Sequence, residues 1–357
     1  AAAGEDYLGF SDLIFPWFLF AVGLSIPFAL ENRLNKNEKL LTIWIFILIR
    51  TVSLLIMGLF HMNMEMYNHD SSLISKPYFV IMCTIAFFMI WNIYPKPKSD
   101  DNILFKILPI VGMLILIGNL LIYKGQDYNG VSLSFSIHWW GILGLIGWSY
   151  FIVASSYFIF RRSIYGAIIA FFICLGVNVL SSSGIAYNIF SWQSIDWIPG
   201  SGGLQALTIG GVITSLILMK YKSNIKKIYI ILFGMCVSSL IGGLYLKQYF
   251  IISKISGTPT WILISMSTAL FLFVLIHWIV DVQKKMGWYE PIKIAGTATL
   301  SCYLIPYFYY SFRTILGIEL PIFLTTGLIG LIKSLIYSFI IIGISWSLTR
   351  LKIQLKI

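Results

Sequence analysis

Apolar and polar residues alternate along this chain in long blocks. Runs of about 20 mostly apolar residues recur through the chain, separated by short segments that carry most of the charges. A run of this length crosses a bilayer as an α-helix, whereas membrane β-strands would show short stretches of alternating hydrophobicity, which are absent. The pattern predicts an all-α, polytopic transmembrane helix bundle of about eleven helices. They are expected near residues 11–30, 40–60, 77–93, 103–123, 140–160, 163–180, 202–219, 228–246, 260–281, 293–312 and 322–348.

The composition points the same way. Hydrophobic residues make up 58% of the chain and charged residues only 11%, whereas soluble domains carry about 25% charged residues. A chain of this kind cannot cover itself with a polar surface, so the lipid bilayer is its expected surrounding. We predict one transmembrane domain over residues 1–357 and leave the oligomeric state open, with a homodimer among the alternatives.

The basic residues predict how the helices are oriented. Loops on one side of the predicted bundle hold 18 of the 25 Lys and Arg residues, and loops on the other side hold five. Because basic loops stay in the cytoplasm, the first set is predicted to be cytoplasmic. The cytoplasmic set is Arg33, Lys36, Lys39, Lys96, Lys98, Lys106, Arg161, Arg162, Lys220, Lys222, Lys226, Lys227, Lys284, Lys285, Lys293, Arg350, Lys352 and Lys356; the outer set is Lys76, Lys124, Lys247, Lys254 and Arg313.

This orientation predicts a protein of the bacterial cytoplasmic (inner) membrane, with residue 1 outside and the C-terminus in the cytoplasm. A chain that begins outside leads us to expect one further helix before residue 1. The net charge of +11 follows from the topology, so no nucleic-acid partner is expected. The absence of Asn-x-Ser/Thr sequons favours a bacterial source.

Two basic residues lie inside predicted helices. Arg50 is about ten residues into its span and Lys333 about eleven residues from the predicted outer end of the last one, which puts both near mid-depth. No Asp or Glu lies deep within a predicted span, so a bound phosphate or pyrophosphate would suit both cations. The alternative is that Lys333 extends to the interface and Arg50 binds backbone carbonyls.

Asp12 lies at the start of the first predicted helix. An acid there favours the positive end of the helix, and Ser11 could cap it. The alternative is a general base or an orienting carboxylate at the outer face. No Cys and His residues have the spacing of a zinc site, so no metal is expected.

The histidines offer a second candidate. His61, His69 and His138 are expected outside or at the outer border of the membrane. His138 is followed by two tryptophans, so it could belong to an amphipathic sugar site, although aromatic belts explain many membrane tryptophans. Residues 141–147 have a glycine every three residues, which favours close helix packing. Residues 199–203 open a helix whose N–H groups could bind an oxyanion.

Several of these segments resemble one family. Residues 11–18, Ser-Asp-Leu-Ile-Phe-Pro-Trp-Phe, resemble the Asp-Leu-Val-Phe-Pro-Trp-Phe motif of heparan-α-glucosaminide N-acetyltransferase and its bacterial relatives. Arg50 with residues 54–59 resembles that family's Arg-containing helix. Residues 198–204 are similar to its Asp-Pro-Glu-Gly-Leu segment but depart from it at the acidic position. Residues 278–282, and residues 295–297 with 302–307, look like a bacterial branch known only as a domain of unknown function, DUF5009.

The resemblance implies an enzyme that uses cytoplasmic acetyl-CoA to acetylate a sugar amine or hydroxyl on the outer face of the membrane. Arg50 and Lys333 would bind the acetyl-CoA co-substrate, and Asp12 and His138 would orient or activate the sugar or glycan acceptor. The family's catalytic His would fall near Ala2, where this sequence has none, so it lies before residue 1 or is missing from this branch. The alternative function is a transporter or flippase for an anionic or glycan-linked substrate.

Overall fold

The computed structural model describes residues 4–94, 103–127, 129–186 and 201–357, and nearly all of their regular structure is α-helical. A two-stranded hairpin is the exception. In chain order the elements are α1 (Ser11–Asn35), α2 (Leu40–Glu65), α3 (Lys76–Trp91), α4 (Ile103–Ile122), β1 (Gly125–Gln126), β2 (Ser132–Leu133), α5 (Ile142–Phe160), α6 (Ile164–Ser182), α7 (Gly203–Lys220), α8 (Ile225–Leu246), α9 (Pro259–His277), α10 (Lys293–Thr297), α11 (Thr299–Ile315) and α12 (Gly327–Arg350).

The helix lengths define a multi-pass membrane protein. Within the described ranges, nine helices have 18 or more residues and are apolar enough to cross a bilayer. Two further helices, α3 with 16 residues and α11 with 17, are slightly shorter. Every one of the predicted spans overlaps a helix. The predicted all-α transmembrane bundle is therefore confirmed, with a helix count close to the predicted eleven.

The predicted helix at 293–312 is in fact two helices. Ala298 leaves helical geometry, with φ −119° and ψ 38°, and thereby separates α10 from α11. The Thr299 hydroxyl donates hydrogen bonds to the carbonyls of Ala295 and Gly296, at 2.9 and 3.1 Å. A side chain that bonds nearby carbonyls offers the backbone an alternative to the regular helix. The prediction of one continuous helix gave too little weight to Gly296, Thr297 and Thr299, which are weak helix formers around this point.

The last helix begins later than predicted. Residues Ile322–Leu324 form a single 3₁₀ turn, and α12 starts only at Gly327, whose φ of +60° suits a residue without a side chain. The predicted span began at residue 322 because the residues from there onwards are almost all apolar. The five-residue difference changes the depth of every residue counted from that end, including Lys333.

The chain folds as two compact units. Unit 1 comprises Ala1–Gly58 and Trp139–Lys285, and unit 2 comprises Leu59–His138 and Met286–Ile357. Helix α2 contributes its larger part to unit 1 and its last turns to unit 2. The single domain over 1–357 stays a prediction.

Unit 1 is centred on the packing of α1 against α7. A Cβ atom added at Gly23 would lie 1.8 Å from the carbonyl oxygen of Thr208, and one added at Gly211 would lie 2.0 Å from that of Phe20. Only glycine permits backbones to approach so closely, as in other membrane helix pairs. The indole N–H of Trp17 donates to the Thr268 hydroxyl at 3.0 Å, which joins α1 to α9.

The glycines of residues 141–147 serve the close packing that their spacing predicts. A Cβ atom at Gly58 of α2 would lie 2.4 Å from the backbone nitrogen of Gly144 in α5. These two glycines bring α2 and α5 into direct backbone contact within unit 1. The contact supports the part of α2 that carries Arg50.

A buried carboxylate joins α1 to α5 and to the turn that follows it. Glu31 is only 6% exposed. It accepts a hydrogen bond from the Tyr157 hydroxyl at 2.8 Å and an ion pair from the Arg162 guanidinium. The hydrogen bond that Arg162 donates to Glu31, together with the negative charge of Glu31, raises the pKa of Arg162 above its ordinary value. The predicted first span ended one residue before Glu31, so the sequence did not reveal this contact.

Unit 2 ties its loops together by short backbone pairings. Strands β1 and β2 pair antiparallel, and Gly125 also pairs with Tyr67. Near the other end of α3, Asn92 pairs with Leu355. The charge pattern assigns Tyr67 and Gly125 to one side of the membrane and Asn92 and Leu355 to the opposite side, so these pairings agree with the predicted alternation. Which side faces the cytoplasm stays a prediction.

Candidate functional site

Arg50 is the feature that a simple hydrophobic bundle explains least. It is the eleventh of the 26 residues of α2, about 15 Å from the first residue at 1.5 Å per residue. Its side chain is partly buried, and the guanidinium carbon lies 4.9 Å from the ring centroid of Tyr150 in α5. Among the described residues, no hydrogen bond or ion pair to Arg50 accompanies this cation–π contact.

A comparison of energies shows that the contact with Tyr150 alone does not offset the cost of placing the charge of Arg50 inside a membrane. A cation–π contact stabilises by about 0.5–2 kcal/mol, whereas a charge at the centre of a bilayer costs at least about 2.5–3.5 kcal/mol. Two acids of the same unit are engaged elsewhere, because Glu31 binds Arg162 and Glu38 binds Arg33 at 2.6 Å. The guanidinium of Arg50 therefore retains its capacity to bind an anion.

Lys333 lies in different surroundings from those predicted. It is the seventh residue of α12, about 9 Å from the start of that helix and so nearer its start than its end, while its depth in the membrane stays a prediction. The shorter distance follows from the later start of α12. Lys333 belongs to unit 2, where it lines a cavity with Arg313, whereas Arg50 belongs to unit 1. The prediction that Lys333 joins Arg50 in binding acetyl-CoA stays untested.

Asp12 is buried and its two oxygens are engaged. One accepts the backbone N–H of Gly9 at 3.0 Å, and the other lies 3.7 Å from the ammonium nitrogen of Lys254. Phe10 occupies the N-cap position of α1, and no side-chain hydrogen bond caps this end of the helix. Ser11 therefore does not cap the helix as expected. Asp12 instead holds the preceding turn and the segment before α9. These contacts support a structural role, while the acceptor-activating role stays a prediction.

His138 is placed by a hydrogen-bonded loop of unit 2. Its Nε2 lies 2.8 Å from the Ser136 hydroxyl. The backbone of Ser136 is bound on both sides by Asn63, whose Nδ2 donates to the Ser136 carbonyl at 2.9 Å and whose Oδ1 accepts the Ser136 N–H at 3.2 Å. Asn63 is fully buried in α2. Asn63 thus fixes the loop that carries His138 to the last turns of α2.

His61 is a further candidate that the structure adds. It was expected outside or at the outer border, which stays a prediction, and it is buried in the last turns of α2, which continues to Glu65. Its ring centroid lies 4.5 Å from that of Tyr307 and 5.5 Å from that of Tyr303, both in α11. The two tyrosine hydroxyls are 3.3 Å apart. The helical spacing from the buried Met57 was the available signal, since residues four apart share a face.

The glycine-rich segment at 199–203 is described only in part. Residues 187–200 lie outside the described ranges, and Gly202 adopts a φ of +70° directly before α7. A Cβ atom at Gly202 would lie 2.2 Å from the carbonyl oxygen of Cys174, and one at Gly203 would lie 2.9 Å from Asn178 Nδ2. The start of α7 is therefore packed tightly against α6. This close packing is a structural reason for glycine at positions 202 and 203.

Together these features define a polytopic α-helical membrane protein with a guanidinium inside a spanning helix and imidazoles near one end of unit 2. The family model described as "Domain of unknown function (DUF5009)" matches residues 6–209, which is more than half of the chain. The chain belongs to this family. No curated protein matches it.

Proposed function

We propose that this protein is a membrane acyltransferase that transfers an acetyl group from cytoplasmic acetyl-CoA to a sugar amine or hydroxyl at the outer face of a bacterial inner membrane. The observation that carries the proposal is Arg50, a partly buried residue in the middle of α2 whose guanidinium contacts the ring of Tyr150 and forms no hydrogen bond or ion pair with the described residues. A phosphate or pyrophosphate group would complete its interactions, and the planar guanidinium binds such oxygens bidentately.

The resemblance to heparan-α-glucosaminide N-acetyltransferases supports the same assignment. Residues 11–18 and Arg50 belong to the segments that carry that resemblance. We leave Lys333 out of the donor site, because it lines a cavity of unit 2 with a second cation, Arg313. The acyl donor is therefore assigned to Arg50 alone.

The reaction needs a group that takes one proton. The acceptor nitrogen or oxygen attacks the thioester carbonyl carbon, a new C–N or C–O bond forms, and the C–S bond breaks to release the coenzyme A thiolate. The proton lost by the acceptor ends on that thiolate, by way of a base. The candidates for this base are the carboxylate of Asp12, which contacts Gly9 and Lys254, and the imidazoles of His138, which contacts Ser136, and of His61.

Replacing the imidazole that serves as base is expected to lower kcat by about 10²- to 10⁴-fold. The variants are His61→Ala and His138→Ala, with His69→Ala as the matched control because His69 is exposed. The measurement is transfer of labelled acetyl groups from acetyl-CoA to glucosamine as the probe acceptor. Acetyl-CoA affinity should stay within about twofold in each variant. Both assignments are wrong if both variants keep kcat within a factor of three.

Acetyl-CoA binding to the purified full-length protein in detergent tests the proposal directly. We expect saturable binding of acetyl-CoA, and competition by coenzyme A because the two share their phosphates. Binding that does not saturate, or no binding, would contradict an acyl-CoA-dependent enzyme.

A transporter or flippase is the second candidate, and the interrupted helices favour it. The helical conformation is interrupted at Ala298, between α10 and α11, and a π-helical turn at Trp278–Val282 follows α9. Interrupted helices are typical of transporter binding sites. Movement of an anionic or glycan-linked substrate across proteoliposomes without an acyl donor would favour this function over acetyl transfer.

A further inference from the structure

Unit 2 contains a groove whose lining includes none of the residues assigned to acetyl transfer. Helices α11 and α12 border an apolar cavity of about 620 Å³, with walls that include Phe308, Phe312, Ile341 and Ile344. Helix α12 has few buried residues, so much of this apolar surface stays open. In a bilayer such a groove is filled by hydrocarbon.

One end of the groove is cationic. A smaller cavity of about 220 Å³ contains Arg313 and Lys333 and shares Tyr309 and Tyr337 with the apolar groove. Arg313 uses its Nε to bind the Ile318 carbonyl at 2.8 Å, which leaves its terminal nitrogens for another partner. For Lys333, the described part of the chain provides neither an ion pair nor a hydrogen bond.

The polar groups at this end lack anionic partners. Helices α11 and α12 contain no acidic residue. Glu319, in the segment between them, forms no ion pair with Arg313 or Lys333 in the described structure. The hydroxyl of Tyr337 is enclosed and has no hydrogen-bond partner among the described residues. Two cations and one hydroxyl donor therefore face a space that an oxyanion would fill.

We infer that this groove binds an anionic lipid, with its headgroup phosphate at Arg313 and Lys333 and a hydrocarbon chain along α11 and α12. From Lys333 to Leu348 the groove follows 15 residues of α12, about 22 Å at 1.5 Å per residue. One leaflet contributes about 15 Å of hydrocarbon, so the groove holds a whole lipid chain. The tyrosines at its cationic end suit the headgroup level, where aromatic belts lie.

Other occupants fit less well. A free phosphate would leave the apolar groove unfilled. A second copy of the chain, packed by a two-fold axis, would bring the same cations together without a carboxylate between them. An anionic lipid fits both spaces at once, with its phosphate in the cavity of about 220 Å³ and its hydrocarbon chain in the apolar groove of about 620 Å³. This inference does not rest on the proposed acetyl transfer.

Lipid binding to the purified full-length protein tests the inference. Native mass spectrometry in mild detergent would compare dioleoyl phosphatidylglycerol, dioleoyl phosphatidylcholine and inorganic phosphate. We expect phosphatidylglycerol to bind at least tenfold more tightly than phosphatidylcholine, and inorganic phosphate not to compete at equal concentration. In the double variant Lys333→Met with Arg313→Met, the affinity for phosphatidylglycerol should fall to the affinity for phosphatidylcholine.

Matched variants separate a lost site from a damaged protein. Lys333→Arg keeps the charge and should keep the preference, and Lys356→Met removes an exposed lysine of the same unit and should change nothing. Ile344→Trp places a larger side chain in the groove and should weaken the binding of both lipids. The inference is overturned by equal affinities for the two lipids, by an unchanged preference in the double variant, by competition from inorganic phosphate at equal concentration, or by a lipid-free dimer.

Discussion

Acetyl-CoA binding is expected to weaken by about 10- to 150-fold when Arg50 is replaced by alanine, because hydrogen bonds to a charged group contribute about 1.5–3 kcal/mol. The guanidinium lies mid-way along α2 with Tyr150 as its neighbour, so removing it leaves the phosphates of the donor without their cation in this part of the protein. The measurement is the Kd of acetyl-CoA for the purified full-length variant. Arg50→Lys keeps the charge but loses the bidentate geometry, and should give an intermediate Kd.

Arg350→Ala is the matched control for this experiment. Its guanidinium carbon lies 4.7 Å from the ring centroid of Trp346, a contact much like the 4.9 Å contact of Arg50 with Tyr150. Arg350 is exposed at the end of α12. A Kd within twofold of wild type is expected for Arg350→Ala. The donor-site assignment fails if Arg50→Ala also stays within twofold.

A single methyl group at Gly23 is expected to lower the free energy of unfolding by about 3 kcal/mol or more, the upper range for overpacking. The added Cβ atom would lie 1.8 Å from the Thr208 carbonyl oxygen, and backbone atoms cannot yield as a flexible side chain does. Helices α1 and α7 would have to separate, and unit 1 is built around their contact. Gly211→Ala, on the facing helix, should have a similar effect, since its Cβ atom would lie 2.0 Å from the Phe20 carbonyl oxygen.

Gly234→Ala provides the comparison. Gly234 lies in α8, and a Cβ atom added there has no neighbour within 4 Å. Alanine should be neutral there or stabilise by up to about 1 kcal/mol, because it is the better helix former. Thermal unfolding in detergent, followed by circular dichroism, measures both variants. Equal melting temperatures for Gly23→Ala and Gly234→Ala would show that the α1–α7 contact is not as close as described.

The membrane helices could be predicted because the length of an apolar run is a local property. Mid-helix placement of Arg50 followed from the same pattern, since α2 begins at the predicted residue. Two features could not be read in this way. The length of the run did not locate the break at Ala298, although Gly296, Thr297 and Thr299 weaken the helix there. The start of α12 at Gly327 follows apolar residues that form a 3₁₀ turn.

Interaction partners were harder to predict than helices, because they depend on which helices pack together. The contact of Glu31 with Tyr157 and Arg162 joins residues more than 120 positions apart. Lys333 was paired with Arg50 by their predicted depths, whereas its neighbour in the fold is Arg313. Helix spacing could have placed His61 on a buried face, but the tyrosines beside it come from α11. Sequence therefore identified the candidate cations and not their surroundings.

Acetyl transfer across the membrane tests the central claim most directly. Inside-out vesicles containing the protein would receive labelled acetyl-CoA on the outside, with glucosamine enclosed in the lumen as the probe acceptor. The account predicts labelled N-acetylglucosamine in the lumen, formed by wild type and by Arg350→Ala and strongly reduced in Arg50→Ala. No luminal product from wild-type vesicles that bind acetyl-CoA, or equal product from Arg50→Ala, would contradict it.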